Sequence, residues 1–80
     1  MSEEMDYQHD VDARGLRCPE PVMMLHARIR KAAPGEVVRV RADDPASDRD
    51  IPTFCEHLGH VLLQRSEEGD ERHFFVRKRG

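Results

Sequence analysis

The 80-residue chain has no tryptophan, one tyrosine and three phenylalanines, so its core has to come from aliphatic side chains and methionine. It has only two cysteines, Cys18 and Cys55, 37 positions apart. That is no disulfide framework, and it fits a reducing, cytoplasmic setting. The paired Cys/His spacings of a zinc site are missing, as is a glycine-rich phosphate loop. Neither a metal nor a cofactor is therefore expected. No apolar run approaches membrane-spanning length. The opening segment Met1-Ser2-Glu3-Glu4-Met5-Asp6 is acidic rather than apolar, so it does not read as a signal peptide. Basic residues interleaved with aromatics, the stacking platform of a nucleic-acid binder, are also lacking.

What is present reads as one small domain over residues 9–80, preceded by a flexible tail over residues 1–8. A chain of this size buries only about 60% of its unfolded surface, so its stability margin is thin. Charged residues make up 36% of the sequence, yet the apolar positions are too regular for a disordered chain. The net charge of −3 is unevenly spread, with seven Arg/Lys between Arg14 and Arg41 against Glu20 and Glu36. This is either ordinary alternation over a solvated surface or a basic face near Cys18 that docks an acidic protein or RNA.

Alternation over residues 9–13 predicts a short strand with His9, Val11 and Ala13 on one side. Gly15 then sits in a tight connection. The next segment predicts a helix from Pro19 to about Ala33, because Val22, Leu25, Ile29 and Ala32 form an apolar stripe. Pro34-Gly35 stops it. Residues 37–42 predict a strand with Val38 and Val40 inward. A turn at Asp43-Asp44-Pro45-Ala46 leads to a second helix capped by Ser47 or Asp50. Pro52 favours Asp50, since proline is tolerated in the first turn and costly later. Ile51, Phe54, Cys55 and Leu58 share one face of that helix, and Gly59 closes it. Strands over residues 61–66 and 72–78 flank a polar hairpin loop, Glu67–Glu71. The order β-α-β-α-β-β implies an α/β (α+β) two-layer sandwich. Two helices lie on one face of a mixed four-stranded sheet.

The chemistry concentrates at Cys18-Pro19-Glu20-Pro21. Proline is favoured at the first helical position, which puts Cys18 at the N-cap, where the helix offers partial positive charge. That setting favours the reactive thiolate. Arg17 and Arg14 would lower the Cys18 pKa further if close, and Glu20 would raise it. Pro19 and Pro21 lack N–H groups, so the Glu20 amide is the main backbone donor left for the sulfur. The expectation is a mildly depressed pKa, suited to a group that both accepts and releases sulfur. A thioredoxin-type reaction needs a second cysteine where Pro21 stands. A cysteine hydrolase needs a positioned base, but His26 lies two turns along the helix. The economical role is a carrier in which Cys18 takes sulfane sulfur from a donor persulfide and passes it to the next thiol. Two other readings stand beside it: a docking module in which Cys18 merely caps a helix, and a thiol redox sensor. Cys55, on the apolar face of the second helix, reads as a buried, inert thiol. Met23 and Met24 are either edge packing or a docking patch.

Gly15-Leu16-Arg17-Cys18-Pro19-Glu20-Pro21-Val22-Met23-Met24 resembles the signature of the TusA (SirA-like) sulfur carriers. The resemblance extends to Pro34-Gly35-Glu36, Ala42-Asp43-Asp44-Pro45-Ala46, Arg49-Asp50-Ile51-Pro52 and Phe54-Cys55, and spans about Val11 to Arg79. It implies the same β-α-β-α-β-β fold and a persulfide on Cys18, supported by Arg17, Pro19, Glu20 and Pro21. The implied donor is an IscS-type, pyridoxal-phosphate cysteine desulfurase, and the acceptor a TusBCD-type relay. The sulfur would end in 2-thiouridine at the wobble position of tRNA, or, as in related members, in molybdenum cofactor synthesis or sulfur oxidation. Such a sulfurtransferase has no independent turnover. Arg14, Met24, Asp44, Arg49 and Asp50 are candidate partner-binding residues, with turn and capping roles as the plainer reading for the acidic ones.

Overall fold

The alternation over residues 37–42 decides how the sheet lies. Val38, Val40 and Ala42 are fully buried on one side, while Arg39 and Arg41 occupy the other. In the computed structural model, which describes residues 6–80, six elements follow one another. They are β1 (His9–Ala13), α1 (Glu20–Lys31), β2 (Val37–Ala42), α2 (Ser47–Leu58), β3 (Val61–Glu68) and β4 (Glu71–Arg77). The sheet order is β1-β2-β4-β3. β1 and β2 run parallel, as a helix crossover requires, and β4 is antiparallel to both neighbours. α1 packs on β1 and β2, and α2 on β3 and β4. The fold is the mixed four-stranded sandwich expected from the sequence.

The core lies between these layers. Leu25 and Ile29 from α1 and Ile51 and Cys55 from α2 meet Val38, Val40, Phe74 and Val76. Each large aliphatic buried this way contributes about 1.5–3 kcal/mol. Pro21 rather than Val22 begins the buried stripe of α1; Val22 and Phe54 are half-buried at its edge, and Leu58 is exposed.

The helix-free face carries its own small cluster. Phe75 pairs with Arg39 in the sheet and is fully buried there beside Tyr7, their ring centroids 6.0 Å apart. The Arg39 guanidinium lies 4.5 Å from the Tyr7 ring centroid, and Asp10 accepts from both Arg39 and Arg41 at 2.9 Å. Two of the seven cations of the basic segment, Arg39 and Arg41, are thus neutralised on the helix-free face. Of the tail expected over residues 1–8, residues 1–5 lie outside the described residues. Gln8 exchanges two hydrogen bonds with Val37: its amide donates to the Val37 carbonyl, and its side-chain oxygen accepts from the Val37 amide.

Several boundaries differ from the sequence reading, each for a local reason. α1 ends at Lys31 because Ala32 turns extended just ahead of the Ala33-Pro34 pair. The Ala32 carbonyl accepts from Lys78 Nζ at 2.7 Å. The hairpin is tighter than a five-residue loop, with only Gly69-Asp70 between β3 and β4. Gly69 takes the positive φ of 61° that a Gly-first two-residue turn requires. In α2 the helix starts at Ser47 with Ala46 as N-cap, not at Asp50, and Pro52 lies inside it. Proline has no N–H to offer the Asp48 carbonyl. Arg65 Nη1 reaches that oxygen at 3.5 Å, and Arg72 Nε donates to the Asp48 carboxylate at 3.0 Å.

Candidate functional site

Cys18 lies on the connection between β1 and α1, and that connection is held by two neighbouring aspartates of the β2–α2 turn. Asp43 accepts the Gly15 amide at 3.0 Å and Arg17 Nη1 at 3.2 Å. Asp44, only 8% exposed, accepts the Cys18 amide at 2.7 Å and the Ala46 amide at 3.3 Å. One carboxylate therefore fixes the main chain of Cys18 and the entry to α2 together. Those two amides, Cys18 first, hold the Asp44 carboxyl below its ordinary value. Asp44 thus lies behind the loop as a structural tie.

The sulfur is placed differently from the N-cap expected. Pro19, not Cys18, is the N-cap residue of α1, and the Cys18–Pro19 peptide is cis. The Glu20 amide, expected to face the sulfur, donates instead to the Arg17 carbonyl at 2.8 Å, closing the turn. Cys18 itself is exposed, on the rim of an open hollow of about 370 Å³ lined also by Val22, Arg49, Asp50, Thr53 and Phe54.

The electrostatics reverse the sequence expectation. Cys18 and Asp50 line the same hollow, and the Asp50 carboxylate as a potential acceptor of the thiol proton, then partial desolvation and the charges of Asp50 and Asp44, raise the Cys18 pKa; Arg49 opposes them. A thiol beside an anion resists losing its proton. The carboxylates that act are those of α2 and its preceding turn rather than Glu20, and the offsetting cation is Arg49 rather than Arg17 or Arg14. Arg17 is engaged with Asp43, and Arg14 is turned toward Asp12 at 2.8 Å and Glu71 at 3.1 Å. The cause is tertiary. Asp50 comes from a helix 32 positions away, and one-dimensional spacing carries no sign of its approach.

Of the other candidate residues, Met24 is 38% exposed beside Met23 at 60%, flanking a shallow apolar strip with Leu16, Glu20 and Ala27. Arg49 is solvent-exposed and reaches Asp50 at 3.4 Å. Pro21 is buried in the α1 stripe, which anchors the start of the helix. Thr53 is the lining residue the sequence reading missed; its place three positions after Asp50, on the same side of α2, was the available signal. Cys55 is buried, and burial pushes its pKa up to about 11. Among the described residues no group of His, Cys, Asp and Glu side chains is arranged to hold a metal ion.

The chain as a whole matches known proteins. The family described as "Sulfurtransferase TusA" matches residues 9–78, most of the chain. The chain belongs to the TusA family. The sulfur carrier protein TusA of Pseudomonas putida is 52% identical over 69 residues, covering 86% of each chain. That of Pseudomonas entomophila is 51% identical over 76 residues, covering 92% of this chain and 95% of its own. The crystal structure of a SirA-like protein from Desulfitobacterium hafniense shares the fold, with a TM-score of 0.80 over 91% of this chain and all of its own, at 20% identity. In this TusA-family chain the cysteine-proline motif of the sequence coincides with the exposed sulfur of the fold.

Proposed function

We propose that Cys18 carries sulfane sulfur as a persulfide, taken from an IscS-type cysteine desulfurase and passed to a TusBCD-type relay for 2-thiolation of wobble uridine in tRNA. The observation that carries this reading is the contrast between the two thiols. Cys18 is open to solvent, and Cys55 is buried with its thiol held protonated. A single accessible sulfur without a resolving partner can hold a persulfide but cannot close a disulfide within the chain.

The chemistry balances without an external oxidant. As a donor persulfide approaches, the Cys18 proton passes to the Asp50 carboxylate that lines the same hollow. The thiolate attacks the terminal sulfur, a new S–S bond forms at Cys18, and the donor cysteine leaves as its thiolate. In the second transfer an acceptor thiolate attacks that outer sulfur and Cys18 departs, recovering its proton. Nucleophilicity falls with thiol pKa, so a thiol kept protonated at rest is a strong attacker once deprotonated on contact. The raised pKa also makes Cys18 a poorer leaving group, so unloading depends on the acceptor's surroundings.

The names of the relatives support the carrier role, and the cytoplasmic setting is supported by the free thiols and by the lack, among the described residues, of a helix able to cross a membrane. The test is reconstitution with radiolabelled cysteine, a desulfurase, the relay proteins and unmodified tRNA. Label should reach this chain, then the relay, then the tRNA, and Cys18→Ser should stop it at the desulfurase. Label that reaches the chain but not the relay, and is delivered instead to a molybdenum-cofactor or sulfur-oxidation acceptor, would reassign the pathway.

A further inference from the structure

The surface beside the Cys18 hollow continues along the groove between the helices. Val22 and Phe54, which line that hollow, also line an apolar stretch with Met23 and Ala27. His26 and Arg30, at the far side of that stretch, open onto a third hollow of about 260 Å³, where they meet His60, Lys78 and Arg79. No carboxylate lines this end, and neither the Arg30 nor the Arg79 guanidinium has an ion-pair partner among the described residues. In a chain of net charge −3 that pairs most of its arginines, this end concentrates positive charge, of which only the Lys78 ammonium is recorded acting on a carboxylate, Glu36. His60 Nδ1 accepts the Arg79 amide at 3.1 Å, which leaves the proton of the neutral ring on Nε2 as a donor. Burial first, then the charges of Arg79, Lys78 and His26, hold the His60 imidazole below its usual value.

We infer that this cationic hollow is the anchor for an acidic side chain of a partner protein, whose intervening residues lie along the apolar groove while its thiol reaches Cys18. The apolar stretch decides for a protein segment over RNA. A polyphosphate backbone gains nothing over Val22, Met23, Ala27 and Phe54, and it would meet the Asp50 carboxylate at the sulfur end. A mixed apolar-acidic peptide buries Met23 and neutralises the far end at once. From Glu20 to Arg30 the helix axis advances about 15 Å, which an extended chain covers in roughly four to five residues. The partner's acidic residue therefore lies about five positions from its exchanging cysteine. The inference takes the partner's thiol from the carrier reading; the anchor itself does not depend on sulfur transfer.

Disulfide exchange with synthetic peptides tests it on the full chain. Each peptide has one cysteine, an apolar spacer and a single glutamate or glutamine about five positions on, and is equilibrated with Cys18 under graded reductant. The glutamate peptide should need roughly five- to tenfold more reductant for release than its glutamine twin. That advantage should vanish in Arg30→Gln/Arg79→Gln, persist in Lys31→Gln, and shrink when the spacer is cut to one residue. Equal release of the two peptides, or an advantage that survives loss of both arginines, would overturn the anchor. So would cancellation by a short uridine oligonucleotide at a concentration where oligoglutamate has no effect, which would assign the hollow to nucleic acid. Tethering needs only an accessible thiol. A chain that never accepted sulfane sulfur would still show the anchor, and a working carrier could lack it.

Discussion

The Cys18 amide donates at 2.7 Å to Asp44, and the same carboxylate accepts the Ala46 amide that opens α2. The loop bearing Cys18 and the helix bearing Asp50 are thus registered through one buried side chain. Replacing it with alanine leaves two amides unpaired. Asp44→Ala should lower the denaturation midpoint and slow persulfide formation together, whereas Asp43→Ala, on the exposed side of the loop, should do less of both. Urea unfolding followed by fluorescence of an alkylation label on Cys18 measures the first effect. An Asp44→Ala chain as stable as the parent would remove this account of the loop.

Asp50 and Arg49 should act oppositely on the sulfur. Asp50→Asn deletes the anionic acceptor of the thiol proton, so the Cys18 pKa should fall and iodoacetamide should react faster at neutral pH. Arg49→Gln removes the opposing cation, so the pKa should rise and the reaction slow. Each unit of pKa shift corresponds to about tenfold in the thiolate fraction when the pH is well below the pKa. Rate-versus-pH curves for the two variants should therefore move in opposite directions. Superimposable curves would mean that Asp50 does not touch the sulfur in solution.

The two thiols should separate cleanly by reactivity. Cys55 is buried with its pKa raised to about 11, so native protein at neutral pH should take one alkyl group, on Cys18, and unfolded protein two. Native labelling at Cys55 would show that α2 opens readily and would revive the redox-sensor reading.

Core truncation should be costly for so small a domain. Leu25 is fully buried against β1 and β2 at the centre of the α1 stripe. Leu25→Ala should lose about 2–5 kcal/mol, a large part of the stability of a small domain. The exposed Met23→Ala should change stability little, and any loss of partner affinity there would report the surface rather than the fold.

Acid should loosen the site before neutral pH changes do. Asp44 and Glu36 are held below their ordinary values of 3.8 and 4.5 by hydrogen bonds that they accept in the fold. For Glu36 these come first from the Ala33 amide at 2.9 Å, then from His9 at 2.8 Å. A carboxyl with a lowered folded pKa stabilises the fold above its unfolded pKa, and the benefit disappears as pH falls through the folded value. Thermal midpoints should stay nearly flat from neutrality to about pH 5 and decline below about pH 4. A steep decline already near pH 6 would point to the histidines instead.

The fold was legible in the sequence because its signals are local. Strict alternation at Val38 and Val40, the stripe Leu25–Ile29–Ala32 and the stops at Pro34 and Gly59 each act within a few residues. The candidate site was legible as an exposed cysteine, since Cys18 stands alone beside a proline pair. Its electrostatics were not. The helix start moved to Glu20 because the Arg17 carbonyl claims the amide expected to face the sulfur. Asp50 arrives from another element, through a helix that tolerates Pro52 because Arg65 reaches the Asp48 carbonyl left free. The burial of Phe75 on the helix-free face was likewise hidden, because its neighbours Tyr7 and Arg39 come from distant segments.

Peptide-resolved mass spectrometry after incubation with a cysteine desulfurase and cysteine bears most directly on the carrier role. The account predicts a gain of one sulfur atom on the peptide containing Cys18, reversed by dithiothreitol and absent in Cys18→Ser, with Cys55 unmodified. Sulfur found on Cys55, or no gain on Cys18 while the desulfurase itself is loaded, would contradict it.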